Sequence, residues 1–373
     1  MLKVAIDLTW LKPGESGGIE FYARNLMRGL AKLNDDRAYI VLLSKDNVVL
    51  KHDFAYSHKF VFYQCDTFAN KVLNRIIWQN VCFNRLLKSL CIDVCLTPFY
   101  SIPLVKSRTY KSIVVIHDLQ AFHYPDYFSM PKRLWLSYAW RKSANNADVI
   151  VTISNFCKDD ILHYYGSKVG TKLRVVYNPI DVSSYLTDEN LSDSSPFMYT
   201  ICSKYKHKNL ITLVRVIGEI VHKKLQLPSI LYVTGMKSFP DEIGKEIERL
   251  GIKKNIVLTG YISNEQRNDY YKKCRVFLFP SIFEGFGMPP VEAMLLKKPV
   301  VTTHCTSLPE VTQNKAIYVT NPFCIDDWIQ SIESALAVDY NVPVLDSSRY
   351  NYVNTAKTFV GIIESLAGVK SKL

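Results

Sequence analysis

Short apolar runs rich in β-branched residues alternate along the chain with longer stretches of helical periodicity. Such runs predict strands buried on both faces, as in a parallel sheet, because these strands need no polar alternation. The predicted strands are residues 4–8, 39–43, 94–96, 112–116, 149–153, 198–202, 230–233, 256–258, 276–279 and 299–302. Helical stretches such as 19–33 and 73–90 lie between them. The pattern predicts an α/β fold of parallel sheets with helices on both faces.

The rhythm of strand and helix restarts in the second half, which predicts two Rossmann-like domains. A chain of 373 residues is long for one hydrophobic core and suits two. We place the first domain at residues 1–178 and the second at 179–352, with a polar stretch at 188–196 near the join. A final helix, at about residues 353–366, is able to pack back on the first domain. Open parallel sheets bind ligands beyond the carboxyl ends of their strands, so two facing sheets would form a site in a central cleft.

Composition narrows the class of protein without naming an activity. Apolar residues make up 48% and charged residues 21%, as in soluble globular proteins. No apolar run approaches the roughly 20 residues of a membrane-spanning helix, and the N-terminus reads as a strand rather than a secretory signal. The nine cysteines are scattered without a Cys-x-x-Cys pair, which argues against a zinc site or disulfide framework. We therefore expect a cytoplasmic protein.

The net charge of +12 is concentrated in the first half of the chain. Residues 1–180 hold 24 Lys and Arg against 14 Asp and Glu, whereas residues 181–373 hold 22 against 20. This surplus predicts a polyanionic partner. Residues 71–90 and 130–142 mix basic, apolar and aromatic side chains, as helices at an anionic membrane do; for each alone, an ordinary helix with an apolar core face stays equally open. Nucleic acid is disfavoured, because no binding motif is present and the basic residues are dispersed.

Candidate chemistry centres on residues 279–294, where a strand ends, a glycine turn follows and a proline-started helix begins. Gly285 and Gly287 let the backbone approach a ligand, and the start of a helix suits a phosphate. Glu284 precedes the helix and Glu292 lies in its opening turns. One carboxylate could address a sugar and the other a nucleotide ribose, although a turn residue and a dipole-compensating residue explain them equally well from these residues alone.

The segment EGFGMPPVEAM resembles the Glu-x7-Glu element of glycosyltransferase family 4, the retaining enzymes of GT-B fold, in its bacterial surface-polysaccharide type. The resemblance implies two Rossmann-like domains around a cleft. It also implies that Glu284 contacts the donor sugar and Glu292 the ribose. The residues that would bind the sugar and phosphate between them are Gly285, Phe286, Gly287 and Met288.

Two further segments of the second half are similar to family elements. Lys208, followed by asparagine, matches a basic clamp on the donor diphosphate, but the family's usual arginine is replaced by Ser203. Lys204 or Lys206 would substitute for it, as a point charge without the fork of arginine. Glu310 occupies a loop position that would face the base or the sugar of the donor.

The first half carries weaker similarities. Gly17 and Gly18 follow the first strand and open a helix, where the family has a glycine loop that approaches the donor phosphate or the acceptor. His117 ends an apolar strand and, by the resemblance, faces the donor sugar. Asp118 beside it reads as a turn or helix-cap residue.

Taken together, the residues and the resemblance predict a retaining, metal-independent hexosyltransferase without a cofactor. It would move a hexose from GDP-mannose or another nucleoside diphosphate sugar to a hydroxyl of a glycan or polyprenyl-linked acceptor in O-antigen or capsule-like biosynthesis. The predicted catalytic residues are His117, Lys208 and Glu284, and whether Glu284 attacks covalently stays open. The predicted location is peripheral, at the inner face of the membrane.

Two rival functions are weighed against this prediction. A Rossmann epimerase or dehydrogenase would need a Gly-x-Gly-x-x-Gly turn after an early strand, which residues 14–18 do not supply. A non-catalytic nucleotide-sugar or glycan-binding partner in a polysaccharide assembly complex would share the fold, and fold alone does not exclude it.

Overall fold

A computed structural model describes residues 2–34, 37–185, 196–337 and 340–368. The described residues fall into two compact units, one within Met1–Asp181 and Ser348–Leu373 and the other within Val182–Ser347. Except for Pro196, the polar stretch predicted at 188–196 lies outside the described residues.

Thirteen strands are present in the described part of the chain, and all of them pair in parallel. They are β1 (Val4–Leu8), β2 (Tyr39–Leu43), β3 (Phe60–Gln64), β4 (Val94–Thr97), β5 (Lys111–Ile116), β6 (Val149–Thr152), β7 (Leu173–Val175), β8 (Phe197–Ile201), β9 (Ile230–Thr234), β10 (Ile256–Gly260), β11 (Val276–Phe279), β12 (Val300–Thr303) and β13 (Ile317–Val319). The first unit holds a seven-stranded sheet in the order β3-β2-β1-β4-β5-β6-β7, and the second a six-stranded sheet in the order β10-β9-β8-β11-β12-β13. The predicted α/β fold with two parallel sheets is confirmed.

The α-helices connect these strands. They are α1 (Gly17–Lys32), α2 (Val49–Asp53), α3 (Val72–Val81), α4 (Phe83–Ser89), α5 (Gln120–His123), α6 (Met130–Asn146), α7 (Asn155–Tyr165), α8 (Leu210–His222), α9 (Asp241–Arg249), α10 (Asn264–Lys273), α11 (Met288–Leu295), α12 (Leu308–Val311), α13 (Ile325–Leu336) and α14 (Tyr352–Ala367). None of the described helices is long and apolar enough to cross a bilayer.

All ten predicted strands occur, with ends that differ by at most two residues, but three strands escaped prediction. Two of these, β3 and β13, form outer edges of their sheets, and β7 forms the other edge of the first sheet. β3 is apolar over residues 60–63, but it lies at the edge of its sheet and exposes Val61 and Tyr63.

The single helix predicted over residues 73–90 is two helices, α3 and α4, which meet at Cys82. The break lies where the helix passes the segment 101–105. The amide of Asn80 donates to Ile76 O at 2.8 Å, while its Oδ1 accepts from Leu104 N at 2.8 Å. Side chains that bond to backbone groups in this way compete with regular helical hydrogen bonds.

The C-terminal helix α14 packs on α1 within the first unit. Gly29 of α1 makes this approach possible, because a Cβ there would overlap the backbone of Tyr352 and lie 2.8 Å from Cβ of Ala356. The chain enters α14 through a parallel bridge between Ile180 and Asn351. The final helix therefore completes the core of the unit formed mainly by the first half.

Candidate functional site

The carboxyl ends of β8 and β11 bring two candidate residues together in the second unit. These strands are neighbours in the sheet, so the loops that follow them meet. Lys208 Nζ donates to Glu284 Oε1 at 2.5 Å, and it lies 5.9 Å from the centroid of the Phe279 ring. The two charged side chains are only 20% and 13% exposed. An ion pair is thus formed between the two residues that sequence analysis assigned to diphosphate and sugar.

Side-chain hydrogen bonds from the loop after β12 fix the backbone around Glu284. Glu284 N donates to Thr306 Oγ1 at 3.0 Å. The Ser307 hydroxyl lies 2.9 Å from Glu284 O and 2.8 Å from Phe286 O. Ser307 is fully buried, so these contacts are shielded from competing water. The loop is therefore held in one conformation by its neighbours in the sheet.

Position 287 requires a glycine. Its φ is +91°, and an added Cβ would lie 2.6 Å from Leu308 Cδ2. The residue precedes α11, whose second and third positions are Pro289 and Pro290. Because proline has no N–H, the first turn of this helix offers fewer amide donors to a phosphate than an ordinary helix start does. Gly285 and Phe286 are buried in the same loop, and Met288 is half-buried.

Glu292 is at the centre of a buried polar network and is 2% exposed. Tyr185 OH donates to its Oε1 at 2.8 Å, and Tyr271 OH lies 3.0 Å from its Oε2. Arg267 Nη2 donates to Tyr185 OH at 2.7 Å and lies 3.5 Å from Glu292 Oε1. Burial alone would lower the pKa of Arg267, but the charge of Glu292 and the surrounding tyrosines outweigh it and raise that pKa. Glu292 is thus a buried carboxylate that accepts a hydrogen bond at each oxygen and has the Arg267 guanidinium beside it.

The other charged candidates in the second unit differ in exposure. Lys204 and Lys206 are exposed, and Glu310 is half-buried in α12. His207 is buried, and burial together with the charge of Lys208 lowers its pKa to about 3. The replacement of the missing arginine by one of these two lysines remains a prediction.

In the first unit, His117 directly follows β5 and is 4% exposed. Tyr22 of α1 packs edge-on against its ring, with centroids 4.8 Å apart, and Tyr100 lies 5.6 Å away. Its Nε2 lies 3.2 Å from Pro98 O, and a carbonyl only accepts, so Nε2 carries the proton. Burial lowers the pKa of His117 to about 4. The imidazole is therefore neutral near pH 7 and presents Nδ1 as an acceptor.

The glycine loop of the first unit is open. Gly17 has a φ of +57°, and a Cβ added to Gly17 or Gly18 would meet no atom within 4 Å. Behind it, Glu20 Oε2 accepts from Gly14 N at 2.8 Å, and Glu20 Oε1 accepts from Arg24 Nε at 2.8 Å. The start of α1 is thus anchored by Glu20 while its glycines remain accessible.

One buried acid near this loop escaped sequence analysis. Asp7 of β1 is 1% exposed; its Oδ1 accepts from Thr9 N and Oγ1 at 3.1 and 2.7 Å, whereas its Oδ2 has no hydrogen-bond partner among the described residues. Burial raises the pKa of Asp7, against the opposing effects of Thr9 and Arg75. In the sequence, Asp7 could have been recognised as an acidic residue within an apolar strand.

No group of three or more His, Cys, Asp or Glu side chains within the described ranges could hold a metal ion. The metal independence expected from the sequence remains a prediction.

Comparisons with known proteins now identify the family. The description "Glycosyltransferase Family 4" matches residues 16–184, and "Glycosyl transferases group 1" matches residues 186–356. The O-antigen chain mannosyltransferase RfbU of Salmonella typhimurium is 26% identical over 70% of this chain and 68% of its own length. The O-antigen chain mannosyltransferase B of Escherichia coli is 26% identical over 59% of each chain, so less than two thirds of that protein is matched.

A solved structure agrees with the architecture. Anabaena Alr3699/HepE, solved in complex with UDP and glucose, aligns over 98% of this chain and 100% of that chain with a TM-score of 0.69 at 14% identity. At this identity the likeness establishes a shared fold. The two adjoining family matches, the parallel sheets and this likeness together show that the chain belongs to the glycosyltransferases of GT-B fold, with a family 4 domain in its first half.

Proposed function

We propose that this glycosyltransferase moves a hexose from a nucleoside diphosphate sugar to a hydroxyl of a glycan or polyprenyl-linked acceptor, with retention of anomeric configuration, in surface-polysaccharide biosynthesis. GDP-mannose is the first donor to test, because both O-antigen relatives are named mannosyltransferases. The observation that supports the proposal best is the Lys208–Glu284 pair at the glycine loop before α11. The inner face of the membrane is the proposed location, since the proposed acceptor is lipid-linked.

In the reaction, the bond between the sugar C1 and the diphosphate breaks, a bond from C1 to the acceptor oxygen forms, and the proton of the acceptor hydroxyl passes to the departing diphosphate. Negative charge grows on the departing diphosphate, and Lys208 would stabilise it there. Glu284, which shares that lysine, would accept hydrogen bonds from sugar hydroxyls. Because the loop contacts hold the backbone of Glu284 and its carboxylate is already paired with Lys208, little reorganisation would be needed during transfer.

The remaining candidates take supporting roles in the proposal. His117, neutral and with Nδ1 as acceptor, would receive a hydrogen bond from a sugar hydroxyl rather than donate a proton. A ribose hydroxyl at Glu292 would share the carboxylate with Tyr185, which covers its Oε1. Gly17 and Gly18 would let the chain approach a phosphate or the acceptor closely.

The test uses the full chain, purified without metal, and a panel of GDP-, UDP- and dTDP-sugars. Thermal shift reports donor binding, nucleotide release reports turnover with a lipid-linked acceptor, and NMR of the product reports anomeric configuration. We expect one donor to stabilise the protein, and Lys208→Ala to abolish the shift while Lys254→Ala, at an exposed lysine of the same unit, retains it. Absence of binding at millimolar donor contradicts the proposal. Binding without turnover favours a nucleotide-sugar-binding partner instead.

A further inference from the structure

Two helices of the first unit expose apolar stripes on their outer faces. In α3, Leu73 and Ile77 are 77% and 63% exposed, and Val81 continues the stripe. In α6, Leu134 is 65% exposed, between the equally accessible Met130 and Tyr138. Each stripe has the spacing i, i+4, i+8, which places its members on one face of a helix.

These stripes are not the core faces of their helices. Trp78 of α3 and Trp140 of α6 are buried and belong to the hydrophobic clusters beneath the helices. The helices therefore carry a second apolar face that packs on nothing in the described structure of this unit. Contiguous exposed apolar surface of this kind marks an interaction site.

Both stripes belong to the same side of the sheet. The connections from β3 to β4 and from β5 to β6 advance in the same direction across it, and right-handed crossovers then put α3 and α6 on one face. The segment 101–105 lies between the two helices: Leu104 N donates to Asn80 Oδ1 of α3 at 2.8 Å, and Leu104 O accepts from Asn146 Nδ2 of α6 at 2.7 Å. Val105 in this segment is itself 70% exposed.

Charge decides which partner fits this surface. From residue 71 to residue 90, and again from 130 to 146, the sequence contains Lys and Arg but no Asp or Glu. The basic side chains exposed here are Lys71, Arg85, Lys88, Lys132, Arg141 and Lys142, and no ion pair with a described residue is formed by any of them. Apolar stripes flanked by unpaired positive charge are the pattern of helices that lie in an anionic lipid interface.

We propose that the α3–α6 face, defined by Leu73, Ile77, Val81, Met130, Leu134 and Tyr138 with the flanking basic residues, docks on the surface of an anionic phospholipid bilayer. The proposal rests on the proposed function in one respect: a lipid-linked acceptor would be met at that surface. The apolar side chains enter the interface, and the lysines and arginines contact the phosphate groups.

The first experiment measures vesicle flotation of the full chain with phosphatidylcholine vesicles, with or without phosphatidylglycerol. We expect binding that depends on phosphatidylglycerol and weakens with added salt. Leu73→Ser/Ile77→Ser should lower the partition coefficient about tenfold or more, because two large apolar side chains no longer enter the interface. The matched control is Tyr261→Ser/Val344→Ser, which removes two side chains that are 71% and 76% exposed in the other unit.

A second pair of variants tests the charge. Arg85→Gln/Lys88→Gln should weaken binding about fivefold for each charge lost, whereas Lys253→Gln/Lys254→Gln in the second unit should leave it unchanged. Equal binding to both vesicle types, no binding to either, or equal effects of face and control variants would overturn the proposal. So would a dimer in sedimentation that Leu73→Ser/Ile77→Ser dissociates, since a second copy would then cover the face.

Donor binding, measured by thermal shift without vesicles, separates this proposal from the proposed function. Face variants that bind the nucleotide sugar normally but leave the vesicles support the docking surface. A protein that binds anionic vesicles through this face yet binds no nucleotide sugar refutes the proposed function while the docking surface stands.

Discussion

The loops that open α11 and α1 are alike in sequence and different in construction. Each follows a central strand, contains glycines and leads into a helix. Before α11, Thr306 and Ser307 hydrogen-bond to the loop, and Gly287 has no room for a side chain. At the start of α1, a Cβ added to Gly17 or Gly18 would meet only open space. In the loop before α11, glycine thus allows close packing. At the start of α1, it leaves the backbone accessible.

This difference separates two ways of preparing a site. The loop before α11 holds charged groups at fixed positions, which suits stabilisation of charge that develops in a reaction. The loop before α1 offers bare backbone and space, which suits a substrate that must approach closely. The four predictions below test this contrast, from the largest expected effect to the smallest.

Loss of the cation in the fixed loop should have the largest effect. We expect Lys208→Ala to lower the rate of nucleotide release by about 100- to 1000-fold, as for other preorganised charge-stabilising groups. Lys254→Ala, which removes an exposed lysine of the same unit, should change the rate less than about threefold. Initial rates at subsaturating donor, expressed as kcat/KM, measure both. A decrease of less than tenfold for Lys208→Ala would show that the fixed pair is structural.

The network around Glu292 should dominate the stability of the same unit. Arg267→Met removes the cation beside a buried carboxylate and should cost about 3 kcal/mol of unfolding free energy. The control is Arg215→Met, which breaks a pair with Glu246 in which the arginine is 49% exposed and should cost less than about 1 kcal/mol. Urea denaturation measures both. Equal costs would mean that Arg267 does not compensate Glu292.

Low pH should lower the stability of the first unit through the buried His117. Because the pKa of His117 is lowered to about 4 from an ordinary 6.5, the unfolded chain binds its proton first as the pH falls. Stability from this residue is complete above about pH 6.5 and decreases as the pH falls toward 4, by about 2 kcal/mol between pH 7 and 5. His117→Asn should flatten this part of the stability profile. An unchanged slope would contradict a neutral buried imidazole at His117. The comparison variant is His207→Asn, because the pKa of His207 is lowered to about 3.

The glycines themselves provide the smallest and most direct contrast. Gly287→Ala should destabilise the protein by about 1–2 kcal/mol, because φ is +91° and Leu308 must move. Gly18→Ala should change stability by less than about 0.5 kcal/mol and yet weaken donor or acceptor binding if backbone approach matters there. Thermal unfolding and KM values measure the two effects. A stability loss at Gly18 equal to that at Gly287 would abolish the distinction between the loops.

Sequence patterns were sufficient for the central strands and for the loop before α11, because burial on both faces and glycine with proline leave local signals. They could not show that Lys208 touches Glu284, since this contact depends on β8 and β11 being neighbours in the sheet. The partners of Glu292 were equally hidden: Tyr185 lies 107 positions away along the chain. β3 was missed although residues 60–63 are all apolar, because so short an apolar run does not by itself distinguish a strand from a helix.

The return of α14 to the first unit has a consequence for how the protein is made. The second unit is formed from one continuous stretch of chain, whereas the first unit still lacks α14 when all of that stretch has been synthesised. Until then the groove on α1 at Gly29 has no Tyr352 or Ala356 to fill it. Of the two units, the first is therefore the one whose synthesis begins earlier and ends later.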